Sequence, residues 1–362
     1  MVDDPAELPF LSNVGLMLTF RCTTACPHCV VDAGPHRKET MPIERSLDWI
    51  DQIRAYRGGR VCGLALTGGE PFTDRDNLAK VSDYGDAAGF IVSAVTNAFW
   101  ATSPETAIDV LAGLPAIRML SISTDIYHLM TIPFEFVRNA IVAARELGRL
   151  YNIAVCTDSK DEPGFLNLLQ ELDSIGERDT LRISIIFPVG RAQRRAKLFR
   201  FRLAETPPAG ACSMASSPVI FPNGDVVACI GPPLTLPHQQ PMHLGNALEE
   251  PLSEIFDRAE SNVLLHTIRT FGPQRLVSLL REHGYESLLP DRYICDCACD
   301  ICYKLMSDPR TVRALGEIAQ DGELQRLVAY ARLYYLGESQ LAEILDLNPI
   351  GADASSAAVG SS

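Results

Sequence analysis

A chain of 362 residues with 47% hydrophobic and 21% charged residues has the make-up of an ordinary folded protein, long enough for two domains and a sizeable core. Its formal charge of −13 leaves no electrostatic footprint for nucleic acid or for an anionic membrane surface. No apolar run reaches about eighteen residues, and Met1-Val-Asp-Asp-Pro-Ala-Glu is acidic where an export signal is basic, so a cytoplasmic location is expected.

From residue 14 to about residue 188, short apolar or β-branched runs alternate with amphipathic stretches, the pattern of successive βα units and a parallel sheet. The predicted strands cover residues 14–20, 61–66, 90–95, 117–123, 153–157 and 181–187. Between the first two, Ile43, Leu47, Ile50 and Ile53 recur at helical spacing, with Pro42 before them and Gly58 after. Ser103-Pro104 opens a later helix as N-cap and first residue. Phe134, Val137, Ile141, Ala144 and Leu147 form a further stripe that Gly148 stops. All of these stripes read as core packing.

Eleven cysteines, most of them bunched, in a chain without an export signal point to thiolates that hold metal rather than to disulfides. The first strand runs into Cys22-Thr-Thr-Ala-Cys26-Pro-His-Cys29. An iron–sulfur cube takes about four thiolates, so a loop that offers three leaves one iron open for chemistry. The spacing alone also suits structural zinc, with His28 as a fourth ligand. The second strand ends in Thr67-Gly68-Gly69-Glu70-Pro71, the third in Thr96-Asn97-Ala98, and the fourth in Ser121-Ile122-Ser123-Thr124-Asp125. After the sixth stands Pro188-Val189-Gly190-Arg191-Ala192. It opens a basic run, Arg191, Arg194, Arg195, Lys197, Arg200 and Arg202, which reads as a solvated face or as a dock for an acidic substrate segment.

Taken together, the cysteine loop and the Gly-Gly-Glu-Pro turn resemble the radical S-adenosylmethionine (radical SAM) superfamily, with His28 where that family usually has an aromatic carbocycle and Ala98 where it has glycine. The resemblance implies an α/β fold with a partial (β/α)6 barrel, here residues 1–205. It implies a [4Fe-4S] cluster on Cys22, Cys26 and Cys29 whose open iron binds SAM. It further implies SAM contacts from Gly68, Gly69 and Glu70, and from Asn97, Ser123 and Asp125. Reductive cleavage of SAM would then give a 5′-deoxyadenosyl radical that abstracts hydrogen from the substrate. An external one-electron reductant is the implied partner.

From about residue 206, after Pro207-Pro208, the pattern turns irregular around Cys212, Cys229, Cys295, Cys297, Cys299 and Cys302. Residues 219–225 read as a hairpin with an Asn-Gly turn that brings Cys212 and Cys229 together. With the phrase from Leu244 to Phe256, this module, residues 206–305, resembles the SPASM or twitch extension of radical SAM enzymes. A full SPASM domain carries seven cysteines and two clusters; six cysteines here imply at least one auxiliary [4Fe-4S] cluster on Cys212, Cys229 and two of the last four, with Cys299 and Cys302 the better-spaced pair. Paired short cysteine spacings also build structural zinc sites. Residues 306–350 are expected as a helical extension with helices at 311–319 and 323–336, and 351–362 as a flexible tail.

Cys62 and Cys156 read as small core hydrophobes, although Cys156 also stands near a strand end where its thiol would return a hydrogen atom to a substrate radical. The expected activity is that of a radical SAM oxidoreductase modifying a ribosomal precursor peptide, forming a cross-link. A separate leader-binding protein is expected, because the barrel starts close to Met1. Dehydrogenation of a sugar or cyclitol, peptide epimerisation through Cys156, and a non-enzymatic iron–sulfur or zinc scaffold are the alternatives. No nucleic-acid or membrane partner is expected.

Overall fold

The computed structural model describes residues 10–58, 60–338 and 341. Six strands alternate with helices: β1 (Asn13–Thr19), α1 (Ile43–Ala55), β2 (Gly63–Gly68), α2 (Arg75–Ala87), β3 (Ile91–Thr96), α3 (Pro104–Ala112), β4 (Ile117–Ser123), α4 (Phe134–Glu146), β5 (Leu150–Thr157), α5 (Pro163–Ser174) and β6 (Leu181–Ile185). Neighbours from β1 to β6 pair in parallel and in sequence order. This is the expected α/β partial barrel, with every strand pointing its C-terminal end to the same rim.

The helices form where local chemistry starts them. Ser103 accepts the Thr106 N–H at 3.1 Å with Pro104 in the first turn of α3, and Asp74 accepts the Asn77 N–H at 3.1 Å to start α2. Trp49, Ile50 and Ile53 of α1 are buried against a layer that includes Leu16, Leu64, Val92 and Leu120 of the strands.

β5 begins three residues earlier than predicted. Leu150, Tyr151 and Asn152 pair with Met119, Leu120 and Ser121 although Leu150 is exposed, so backbone pairing extends beyond the buried alternation that periodicity detects. β6 ends at Ile185, two residues before prediction, and Ile186 N–H still donates to Thr157 O at 2.8 Å. Cys62 is exposed rather than buried: it stands one residue before β2, at the end of the sheet away from the rim, with its thiol toward Arg60 O at 3.6 Å.

After β6 come a one-turn helix α6 (Arg191–Arg194) and β7 (Leu203–Ala204). Then β8 (Val219–Ile220), β9 (Asp225–Val227) and β10 (His243–Asn246) extend the barrel sheet past β1, giving the order β10-β9-β8-β1-β2-β3-β4-β5-β6. The expected Asn-Gly hairpin is present as β8 and β9, with Gly224 at φ 87°. Helices α7 (Leu252–Glu260), α8 (Val263–Phe271) and α9 (Gln274–Glu282) follow, then β11 (Tyr293–Ile294), which pairs with β7, then α10 (Ala298–Met306), α11 (Pro309–Ile318) and α12 (Gly322–Tyr334). The apolar stripe Leu252, Ile255, Phe256 and Ala259 of α7 is legible in the sequence, and the reading of this stretch as irregular missed it. The expected tail at 351–362 lies outside the described residues, as does most of 339–350. No helix among the described residues is long and apolar enough to cross a membrane.

Candidate metal and cofactor site

The loops at the rim converge on the cysteine loop after β1. Thr24 Oγ1 stands 3.4 Å from Cys22 Sγ and 3.2 Å from Cys26 Sγ, and Ala33 N–H donates to Cys29 Sγ at 3.3 Å. Asn97 Nδ2, at the end of β3, donates to Thr23 Oγ1 at 3.2 Å and reaches Cys22 Sγ at 3.7 Å. All three thiols are free. N–H groups aimed at sulfur are among the devices that tune clusters held by thiolates.

Two glycines let β2 pass under this loop. A Cβ on Gly69 would fall 2.3 Å from Arg21 O and one on Gly68 2.6 Å from Thr19 O, while Gly69 N–H and Glu70 N–H donate to Thr19 O and Arg21 O at 2.6 and 2.9 Å. Glu70 follows with no exposed surface. Its Oε1 accepts from Thr96 Oγ1 and Phe72 N–H at 3.0 and 3.2 Å, and its Oε2 from Asn97 N–H at 2.6 Å. Burial pushes this carboxyl up to about 7 despite those three donors. Glu70 therefore ties the β2 turn to the β3 end. Ala98 holds the next turn at φ 63°, where the family's glycine would sit without strain.

From the other side, the segment after β6 clamps the cysteine loop. Gly190 stands at φ 61° and a Cβ there would run into Val30 O, so both its conformation and its close approach call for glycine, and Arg191 N–H donates to Cys29 O at 2.9 Å. The buried Arg191 side chain donates to Cys26 O at 2.9 Å and to Ala33 O, and pairs with Asp32 at 2.9 Å. Arg194 also pairs with Asp32, and Arg202 with Asp161. The first residue of the basic run is thus a brace for the candidate cluster loop, while Arg195, Lys197 and Arg200 remain exposed.

Asp125, just past β4, accepts the Tyr127 and His128 N–H groups at 3.0 and 2.9 Å and pairs with His128 Nδ1 at 2.8 Å; His28 Nε2 is 3.4 Å away. Burial alone would push Asp125 up, but the His128 charge overrides it and holds the carboxyl at about 2. His128 is raised well above its ordinary value in spite of burial, by Asp125 and by a hydrogen bond to Cys26. Burial would likewise raise Cys26, yet His128 and Thr24 bring it below its ordinary value. Burial lowers His28 to about 4, so His28 is neutral and His128 is the cationic partner of Asp125. The sequence reading missed His128, although the Asp125-x-x-His128 spacing is visible. Ser123, the last residue of β4, is half-buried.

These residues suit an iron–sulfur cluster by their donor set. Three free thiols line the loop, the Thr24 hydroxyl lies between Cys22 and Cys26, N–H donors point at Cys22 and Cys29, and the buried His28 Nδ1 has no hydrogen-bond partner. Burial raises Cys22 and Cys29, which disfavours bare thiolates there, and a coordinating metal ion removes such protons outright.

The second cysteine set also comes together. Cys297, just before α10, reaches Ile185 O at the end of β6 at 3.8 Å, and its thiol is hydrogen-bonded to Cys299. Burial drives Cys302 well above its ordinary value, reinforced by the charges of Cys212, Cys229 and Cys297. The hydrogen bond to Cys297 and then burial do the same to Cys299, which also feels Cys212 and Cys229. These five thiols thus lie near enough to act on one another's charge, with Cys229, Cys297 and Cys302 buried and Cys212 and Cys299 partly so. Cys295 stands just after β11 with its N–H on Arg202 O at 2.8 Å. Cys156, at the rim end of β5, lies 3.2 Å from Ser184 Oγ, and burial pushes it up to about 11, so it is a protonated thiol at neutral pH.

Residues 16–168 match the family model of the radical SAM superfamily. Residues 16–168 thus carry a radical SAM domain, of a superfamily whose cofactors are a [4Fe-4S] cluster and SAM. Among solved structures, it is similar to anSMEcpe with bound AdoMet and the Kp18Cys peptide (13% identity, 88% of this chain and 99% of that one, TM-score 0.50). It is also similar to native anSMEcpe with bound AdoMet (10%, 93% and 100%, TM-score 0.49) and to BtrN in complex with AdoMet and 2-DOIA (13%, 73% and 89%, TM-score 0.36). At 13% identity and a TM-score of 0.50, the likeness to the peptide-bound anSMEcpe structure speaks for the fold alone. No curated protein matches the sequence.

Proposed function

We propose that this radical SAM enzyme carries an auxiliary [4Fe-4S] cluster and oxidises a ribosomally made precursor peptide, closing a cross-link. Cys22, Cys26 and Cys29 would hold the SAM-binding cluster, and Gly68, Gly69, Asn97, Ser123 and Asp125 would line the SAM site. Glu70 would shape it by holding the Thr96-Asn97 turn, since its carboxylate oxygens already have protein donors. Together the cluster and SAM supply, when bound, a radical that abstracts hydrogen from the substrate.

The observation that carries the oxidative reading is the meeting of Cys212, Cys229, Cys297, Cys299 and Cys302 beside the end of β6. Four thiolates complete one cube, and such a centre beside the barrel would accept the electron left on the substrate. Cys212, Cys229, Cys299 and Cys302 are the proposed ligands, with Cys297 the spare thiol against Cys299. The exposed cations Arg195, Lys197 and Arg200 beside the rim suit an acidic peptide segment. The similar structure of anSMEcpe holds a bound Kp18Cys peptide, which supports a peptide substrate for a fold of this kind.

The test is anaerobic reconstitution followed by dithionite and SAM. About eight irons per chain, 5′-deoxyadenosine release, and loss of two hydrogens from a short peptide encoded beside this chain are expected. A Cys22→Ala, Cys26→Ala, Cys29→Ala variant should keep about four irons and release no 5′-deoxyadenosine. Oxidation of a sugar alcohol with no change in the peptide overturns the substrate assignment, and about four irons with bound zinc overturns the auxiliary cluster. The protonated Cys156 thiol at the rim favours one second reading, peptide epimerisation. It predicts deuterium incorporation from solvent that Cys156→Ala abolishes.

A further inference from the structure

The outer edge of β6 is an open strand of the barrel sheet. Among the described residues β6 pairs with β5 alone, in an unbroken register from Leu181 opposite Ile153 to Ile185 opposite Thr157. It carries neither a proline nor a bulge, two of the usual guards of such an edge, and its one charge is the exposed Arg182. Each earlier strand of the barrel is followed by a full helix, whereas β6 is followed by the one-turn α6. Ile183, which shares a face with the buried Val155, is accordingly left 46% exposed.

The ladder decides which backbone groups are open. Successive residues of a strand turn their N–H and C=O to opposite sides. Ile186 N–H donates to Thr157 O at 2.8 Å, so Arg182 and Ser184 also face β5, while Leu181, Ile183 and Ile185 turn their N–H and C=O outward. Arg182 Nη1 donates to Leu181 O at 3.0 Å, and the Cys297 thiol meets Ile185 O at 3.8 Å. Both outward groups of Ile183 remain without a partner among the described residues. The contact with Cys297 sets the rim end of this edge beside the later cysteines, and Ser184 Oγ, 3.2 Å from Cys156 Sγ, sets its inner face beside the Cys156 thiol.

Charge selects the occupant. Asp158, the residue after β5, accepts the Arg200 N–H at 2.6 Å, which brings the basic run to the rim end of β5 and β6 with Arg195, Lys197 and Arg200 exposed. Two copies of this chain joined through the edge would bring two such runs together, and like charges oppose that. An extended acidic segment meets cations instead. We propose that the precursor peptide docks as an added strand on β6, its backbone paired with Ile183 and Ile185 and alternate side chains laid beside Ser184 on the inner face of the barrel. This rests on the peptide reading of the function and adds the place and the mode of binding.

The experiment uses the cluster-loaded full chain and the fluorescein-labelled precursor peptide encoded beside it, with binding read by anisotropy and hydrogen exchange read at single amides. Binding should slow exchange at Ile183 and Ile185 more than at Arg182 and Ser184, which are already paired with β5. Ile183→Pro removes an outward N–H without touching the bonds to β5. It should bind the peptide about tenfold more weakly than Ile183→Ala at equal iron content. A peptide that is bound and altered while exchange at Ile183 and Ile185 stays unchanged overturns the docking and leaves the peptide reading standing, as does equal affinity for the two variants. A peptide that is neither bound nor altered overturns both.

Discussion

Glu70 stands with its carboxyl raised to about 7 from 4.5, and burial is the cause. A carboxyl raised in this way keeps its proton in the folded chain over a range where the unfolded chain has lost it. Its contribution to stability is therefore fully present below the unfolded value of 4.5 and is lost as pH rises through about 7. The span corresponds to on the order of 3 kcal/mol. Denaturant midpoints measured at about pH 5 and about pH 7.5 should fall more steeply for the parent than for Glu70→Gln, which has no charge to bury. Parallel behaviour of the two proteins would remove Glu70 as the source. The Gly-Gly-Glu-Pro turn was legible in the sequence. That Glu70 spends both oxygens on protein donors was not, because Thr96 and Asn97 reach it only once β2 and β3 are paired.

At the scale of the element, the segment from Gly190 through α6 acts as a clamp on a loop about 160 residues earlier in the chain. Its first residue needs glycine for both its conformation and its close approach. Gly190→Ala would drive a methyl into Val30 O and demand φ 61° of an L residue, so it should loosen the loop and lower iron occupancy at the first site while leaving auxiliary iron in place. Arg191→Lys should lose less iron than Arg191→Ala, since lysine keeps a charge for Asp32 but not the fork that reaches Cys26 O and Ala33 O together. Iron per chain and EPR of the reduced protein read both effects. Equal iron in Gly190→Ala and the parent would show that the clamp is dispensable. The basic run shows how charge patterning misleads at this scale: six cations in one stretch look like a solvated face, and burial singles out Arg191 for a different task.

Across the whole molecule, a buried ionic network closes the N- and C-terminal regions on each other. Glu338 pairs with Arg269 and with Arg332 at 2.6 Å each and accepts the Phe10 N–H at 2.7 Å, while Arg332 pairs with Glu260 at 2.6 Å and Arg60 pairs with Glu260 as well. Removing one partner of such a network leaves charge buried without its counterpart, so Glu338→Gln should cost roughly 3–5 kcal/mol in denaturant unfolding. Burial would raise the Glu338 carboxyl, but Arg269 and Arg332 override it and hold it below 4.5. Its contribution is thus present above the unfolded value and lost as pH falls, opposite in sign to that of Glu70. A Glu338→Gln variant as stable as the parent at neutral pH would mean the network contributes nothing net.

Local signals determined the fold class, the order of the strands, the first cysteine triplet and its Gly-Gly-Glu-Pro partner, because each is written in consecutive residues through periodicity, spacing or a steric demand for glycine. The grouping of five of the six later cysteines, the Arg191 brace and the reach of His128 to Cys26 belong to the tertiary structure alone. Each joins residues whose separation along the chain carries no period. Only burial and the pairing of distant strands bring such groups within reach and set which of them carries charge.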